Sequence, residues 1–222
     1  MAVIALNSPK GGVAKTTLAI LLASEFAHLG QTVKLLDADP NQHSFNFGKG
    51  AVIPGLEFVG PVTDASVMQD IKQAKEAADV VILDLPGATS TLNLKALVRS
   101  DFIILPCQTS KPDVMDAGKG IAQIKEASEM RGDTTEPIPF ALLWTRIPSS
   151  FESTPARRVR EQLVQTGVPI FETMLHERAI YKELHLTNKT PRQKDPSSAA
   201  TTEVNNITLE LWQKLAKLKE AA

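Results

Sequence analysis

The chain lacks what several large protein classes require. Its one cysteine, Cys107, excludes a disulfide scaffold and any iron–sulfur or zinc centre built on several thiolates. A lone cysteine of this kind reads as a small residue in a reducing compartment. Neither sign of charge is in excess: 24 Lys plus Arg stand against 25 Asp plus Glu, a net charge of −1. The molecule as a whole therefore offers nucleic acid no attractive field, and any such contact must come from a local basic patch. Long apolar runs are missing too. The most apolar stretch, Leu18 to Leu29, is interrupted by Ser24, Glu25 and His28. It is too short to span a membrane and too far along the chain to be a signal peptide. The expectation is a cytoplasmic or peripheral protein. No internal repeat or linker-like composition divides the chain.

What is present describes one globular domain. With 222 residues, 43% hydrophobic and 22% charged, a single unit should bury roughly 70% of its unfolded-chain surface. Short apolar runs alternate with longer helical patterns, which predicts an α/β fold: a mostly parallel twisted sheet with helices on both faces. Strands are expected at Ala2–Leu6, Thr32–Leu36, Leu56–Val59, Val80–Leu83, Phe102–Leu105, Ile138–Trp144 and Ile170–Met174. Helices are expected at Lys15–Leu29, Asp64–Ala77, Asp113–Met130 and Pro155–Thr166. Thr187–Thr202, rich in Thr, Ser, Pro and Lys, reads as a surface loop. Glu203–Lys219 reads as an amphipathic helix with Ile207, Leu211, Trp212, Leu215 and Leu218 on one side, packed against the sheet.

The most informative stretch is Pro9-Lys10-Gly11-Gly12-Val13-Ala14-Lys15-Thr16-Thr17, between a buried strand and a helix. Glycines let the backbone curl so that several N–H groups face one anion. The helix that follows begins with unpaired N–H groups and the positive end of its dipole, a seat for phosphate. Lys15 is placed to reach β- and γ-phosphate oxygens, Thr16 to ligate Mg²⁺, and Thr17 to meet the α-phosphate. The common Gly-x-x-x-x-Gly-Lys-Ser/Thr pattern fails at both glycines, where Pro9 and Ala14 stand. The string that fits is Lys-Gly-Gly-x-x-Lys-Ser/Thr, a deviant Walker A motif that adds Lys10.

With that loop the sequence resembles the ParA/MinD family of ATPases, closest to the small plasmid-partition members. Asp37-Ala38-Asp39-Pro40-Asn41-Gln42 resembles the family's switch I, and Asp84-Leu85-Pro86-Gly87 its Walker B and switch II. Carboxylates ending parallel strands emerge at the ligand-binding edge of such a sheet. The resemblance implies a deviant Walker A P-loop NTPase fold with ATP and Mg²⁺ as cofactors. Gly11, Gly12, Val13, Ala14, Lys15, Thr16 and Thr17 would cradle the nucleotide, and Arg146 would line the base pocket. It assigns Thr16 and Asp84 to the metal, Asp37 to the metal's water shell, and Asp39 to the attacking water. Lys10 would reach across an ATP-bound homodimer to the partner's nucleotide, a cation supplied in trans. Hydrolysis would be slow and stimulated by a ParB-like or centromere-binding adaptor. Two departures stand out: Ala14, whose methyl would crowd the loop if φ is positive there, and Asn41, inserted between Pro40 and Gln42. Lys10 lies close to the start, which points to the one-domain subclass without an added DNA-reading domain.

The surface bound in the ATP state is expected to be nonspecific DNA, giving a cytoplasmic, nucleoid-associated protein that partitions or positions plasmid DNA or other cargo. Candidate contacts are Arg157, Arg158 and Arg160 on one helix, Lys189, Arg192 and Lys194 in the loop region, and Lys214, Lys217 and Lys219 near the end. The alternatives are a MinD-like membrane-associated ATPase whose last helix enters lipid, a small-molecule P-loop enzyme, and a binding module without turnover. One cysteine argues against a nitrogenase-like enzyme, and a single tyrosine, Tyr181, against a tyrosine autokinase.

Overall fold

The computed structural model describes residues 1–132, 137–149 and 153–221, with the side chains of all of these except 219 and 221. Seven parallel strands form its centre: β1 (Ala2–Leu6), β2 (Val33–Asp37), β3 (Leu56–Val59), β4 (Val80–Asp84), β5 (Phe102–Cys107), β6 (Phe140–Ile147) and β7 (Leu175–His176), in the order β3-β2-β4-β1-β5-β6-β7. The central strands are apolar throughout because both faces are covered. On β1, Ala2, Ile4 and Leu6 point into one core with helix α1 (Lys15–His28), while Val3 and Ala5 point into the other. That second core is closed by α3 (Val67–Ala77), α4 (Thr91–Val98) and α5 (Lys111–Arg131). The connection leaving β1 runs toward β2, whereas the one leaving β5 runs the other way to β6. A parallel sheet opens a ligand crevice where its connections diverge, here at the carboxyl ends of β1 and β5.

Two helices carry no strong sequence signal. In α2 (His43–Gly50) the composition, with two glycines and an asparagine, is poor for a helix. Tertiary contacts supply what propensity lacks: the buried Asp37 carboxylate accepts from the Phe45 N–H in the first turn (2.9 Å), and Phe47 packs on Phe58. The short α4 is started by Ser90, whose Oγ accepts from the Asn93 N–H.

The expected strand at Ile170–Met174 is corrected. Ile170 makes only an isolated bridge to Leu142, and pairing with β6 resumes at Leu175. The Glu172 and Thr173 N–H groups donate instead to the Glu210 carboxylate (2.8 and 2.9 Å), so a side chain replaces the ladder. The expected loop at Thr187–Thr202 is corrected as well. It holds the turn α9 (Pro191–Lys194) and the start of α10 (Ala199–Ala221), preceded by the turns α7 (Ala179–Lys182) and α8 (Leu184–Thr187). Helix α6 (Thr154–Val164) follows β6. Ile207, Leu211 and Leu215 of α10 are buried in the core with α1. Trp212 meets Phe26 of α1 in a tilted ring contact, 5.6 Å between centroids, and remains 41% exposed.

Candidate nucleotide site

The loop from Pro9 to Ala14 joins β1 to α1 at the crevice. Three of its carbonyls are tied to protein donors: Lys10 O accepts from the Lys15 amine (3.1 Å), Gly12 O from the Gln108 amide (3.1 Å) and Val13 O from the Thr145 hydroxyl (3.1 Å). A trans peptide points its N–H opposite to its C=O. The N–H groups of Gly11, Val13 and Ala14 therefore face away from these anchors. Helix α1 then begins with no side-chain cap and no acidic residue in its first turn, the arrangement that suits an anion. Gly12 has φ +79°, and Ala14 itself lies in the left-handed region at φ 68°. Its methyl is tolerated there, at a steric cost.

Lys15 is buried at 7% exposure. Burial pulls its amine below the usual lysine range, against the attraction of Asp84 and Asp39. Asp84 ends β4 directly opposite Asp37 on β2, and both are completely buried. Burial and the Asp37 charge push the Asp84 carboxyl up to about 7, with the Thr16 and Ser44 hydroxyls and Lys15 opposing the rise. Those hydroxyls lie close without forming a hydrogen bond of normal geometry, so neither Asp84 oxygen has a partner among the described residues. An orphaned, buried carboxylate beside a threonine hydroxyl suits a hard divalent cation. No cluster of three or more His, Cys, Asp or Glu able to hold a metal occurs among the described residues. Such a cation would therefore complete its shell with phosphate oxygens and water.

Asp37 is otherwise engaged: one oxygen accepts from the Asp39 N–H (3.0 Å) and the other from Phe45 N–H (2.9 Å). It anchors the loop that carries Asp39. Asp39 is half-buried, and its Oδ1 accepts from both the backbone and side-chain amides of Asn41 (2.9 Å each). The inserted residue thus grips the carboxylate assigned to the attacking water.

The Lys10 side chain is 42% exposed, yet it is paired. Its amine lies 2.6 Å from Asp113 of α5, a carboxylate 6% exposed that also bonds Ser110, the α5 cap. The contact raises the Lys10 pKa. Burial pushes Asp113 upward, but Lys10 and Ser110 together outweigh it and hold the carboxyl below its ordinary value. On the switch II side, a Cβ at Gly87 would come within 2.8 Å of Gly11 N and 3.0 Å of Lys10 C. Only glycine permits this approach, and the local sequence does not announce it.

A cavity of about 280 Å³ continues from the loop. Ala14 and Thr17 form one wall, Arg146 another, and His176, Arg178 and Tyr181 a third. Arg146 has φ 54°, a strained backbone of the kind found at binding sites. Behind the third wall, the buried Glu203 of α10 accepts from the His176 N–H (3.0 Å), Arg178 (3.0 Å) and the Tyr181 hydroxyl (2.9 Å). Glu203 and Gln108 escaped sequence reasoning as parts of the site, and the contacts of Asn41 and Thr145 could not be read from their neighbours. Thr145 directly precedes Arg146 in the chain, but nothing local ties it to Val13, 132 residues away.

The basic residues separate into two groups. Arg158, Lys189 and Lys217 are exposed, and Arg157 is exposed beside Glu161 on its own helix. Arg160 reaches Met174 Sδ at 3.3 Å. Arg192 is corrected as a surface cation: its guanidinium turns inward to make three hydrogen bonds with Glu25, which is 3% exposed. Lys194 pairs with Glu183 at 2.6 Å, and Lys214 with Glu210 at 3.3 Å while lying over Phe171. The Lys219 side chain lies outside the described residues.

Known proteins share this architecture. A ParA protein of Rhizobium radiobacter is 30% identical over 185 residues, covering 83% of this chain and 82% of that protein. The solved structure of apo McdA from Cyanothece superposes with a TM-score of 0.78 at 16% identity, covering 95% of this chain and 98% of that one. The septum site-determining protein MinD of Pyrococcus horikoshii, solved with Mg-ADP, gives a TM-score of 0.73 at 17% identity, covering 98% of each chain. The family model described as VirC1 protein matches residues 1–221. With its deviant phosphate loop seated on a seven-stranded parallel sheet, the chain belongs to the VirC1 family, within the ParA/MinD group of P-loop ATPases.

Proposed function

We propose that this protein is a partition or positioning ATPase that binds ATP with Mg²⁺, dimerises in that state and then holds nonspecific DNA. The observation that carries the reading is the convergence of Lys15, Thr16 and the orphaned Asp84 carboxylate beneath the Pro9–Ala14 loop. The triphosphate would lie along the N–H side of the loop with its β- and γ-oxygens at Lys15, its α-phosphate near Thr17 and its nucleoside in the cavity beside Arg146. Thr16 and Asp84 would hold Mg²⁺, with Asp37 in its outer shell; the cation, when bound, neutralises phosphate charge. Asp39 would orient the water that adds to the γ-phosphorus as the bond to the β–γ bridging oxygen breaks, releasing ADP and phosphate.

Dimerisation enters through Lys10. In a single chain this cation is neutralised by Asp113, so reaching a partner's triphosphate requires exchange of one anion for another. The exchange is favourable only when the partner carries its γ-phosphate, which links nucleotide state to assembly. Hydrolysis would then be slow, hastened by a ParB-like or centromere-binding adaptor, and would end the DNA-bound state.

For DNA, Arg157, Arg158 and Arg160 on α6, with Lys189, Lys214 and Lys217, form the candidate surface. Arg160 and Lys214 both reach the segment between Phe171 and Met174, which brings α6 and α10 to one region. The membrane alternative is weakened because α10 buries Ile207, Leu211 and Leu215 in the core. No helix among the described residues is long and apolar enough to cross a membrane.

Binding of a fluorescent ATP analogue to the wild type and to Lys15→Ala tests the site. The variant should lose at least about tenfold in affinity, since a charged hydrogen bond to phosphate disappears. Undiminished binding would reject the assignment. Retention on unrelated DNA duplexes with the ATP analogue, measured against salt, should weaken and flatten when Arg157 and Arg158 become glutamines.

A further inference from the structure

Asn93 is completely buried in the first turn of α4, where a polar side chain would ordinarily face water. Burying a primary amide is costly unless its hydrogen bonds are met, and Asn93 meets them mainly with the switch II loop. Its Nδ2 donates to Ala88 O (2.9 Å) and Pro86 O (3.3 Å), the carbonyls on either side of Gly87, while its Oδ1 accepts from the Ser90 hydroxyl (2.8 Å). Gly87 is the residue that abuts the Lys10–Gly11 peptide. Asn93 thus binds both carbonyls flanking the glycine that abuts the phosphate loop.

The same Nδ2 has a third acceptor, Asn7 Oδ1 at 3.3 Å. A primary amide has only two N–H groups, so three acceptors compete for two hydrogens. An Asn93 hydrogen not held by Pro86 O has a second acceptor within reach in Asn7 Oδ1. Asn7, also completely buried, donates in turn to Gln123 Oε1 of α5 at 3.2 Å. Gln123 Nε2 is buried without a partner among the described residues. Helix α5 is the one whose first turn holds Lys10 through Asp113.

We infer that Asn93 is a positioning residue for the switch II loop, and that the buried Asn93–Asn7–Gln123 amide chain ties that loop to the helix retaining Lys10. The inference rests on the nucleotide reading above and adds a residue that touches neither nucleotide nor metal in it.

The test uses the full chain and two variants, Asn93→Ala and Ser90→Ala. Backbone hydrogen exchange over residues 85–90, measured without nucleotide, should speed up about tenfold in Asn93→Ala and about threefold in Ser90→Ala, as the loop's local opening becomes easier. With Mg-ATP, kcat of Asn93→Ala should fall at least about tenfold while affinity for the ATP analogue stays within about threefold, the signature of lost alignment. Should Asn93→Ala fail to fold, Ser90→Ala carries the exchange measurement. Unchanged exchange over 85–90, or analogue affinity falling in step with kcat, would overturn the inference. Failure of the wild type to bind nucleotide would instead remove the reading beneath it, and the exchange measurement would still decide whether Asn93 holds the loop.

Discussion

Ala14 occupies a left-handed backbone conformation, φ 68° and ψ 26°, at the entrance of α1. An alanine there bears roughly 1–2 kcal/mol of strain that glycine escapes, partly offset by the larger unfolded-state entropy of glycine. Ala14→Gly should therefore raise stability by roughly 0.5–1 kcal/mol, read as a higher urea midpoint; a lower midpoint would show that the methyl contributes packing that outweighs the strain. Asp84 makes a second residue-scale prediction. Its carboxyl is pushed up to about 7 by burial and by Asp37, above its unfolded value. The folded state then holds the extra proton between about pH 4 and pH 7, so stability from this group is present at low pH and is lost as pH rises through that range, by at most about 1.4 kcal/mol per pH unit. In metal-free protein, denaturation at pH 5 and pH 7.5 should show this loss in the wild type and not in Asp84→Asn. A wild type as stable at pH 7.5 as at pH 5 would contradict it. At this scale much was legible before any coordinates, because a phosphate loop and strand-ending aspartates are local in sequence. The grip of Asn41 on Asp39 was visible only as an insertion without a purpose.

Elements join the site through contacts that span most of the chain, and these explain why the rest was not legible. Helix α10 reads from its pattern as a packing helix, and its inner face does pack. Yet its Glu203 also supports the cavity wall through His176, Arg178 and Tyr181, a role that hydrophobic periodicity cannot express. Arg192 reads as a candidate DNA contact in a Pro- and Ser-rich stretch, but the carboxylate that claims it, Glu25, lies 167 residues earlier. The strand expected at Ile170–Met174 ended instead as a segment capped by Glu210, since apolar content alone cannot tell which acceptor a backbone amide will meet. Glu203→Gln removes the charge facing Arg178, which is 27% exposed. After allowance for that exposure the loss should be roughly 1–3 kcal/mol, with weaker binding of the ATP analogue. Paired denaturation and binding titrations check this. Wild-type values for both would mean that α10 supports the core without supporting the pocket.

For the whole molecule, the parallel sheet gathers the loops after β1, β2 and β4 along one edge, while α5 approaches from the neighbouring strand with the carboxylate that holds Lys10. One chain therefore contains the phosphate loop and the strand-end aspartates to which the proposal gives the cation and the attacking water, with its outward-reaching lysine held at home by Asp113. On this account a second copy completes the assembly by drawing Lys10 onto its own triphosphate. The most direct measurement is sedimentation of the wild type and of Lys10→Ala with a nonhydrolysable ATP analogue and Mg²⁺, alongside analogue affinity for each. Lys15 is held by the carbonyl of residue 10, which alanine retains, so both proteins should bind the analogue alike. The wild type should sediment as a dimer and Lys10→Ala as a monomer; equal dimerisation of the two would contradict the account.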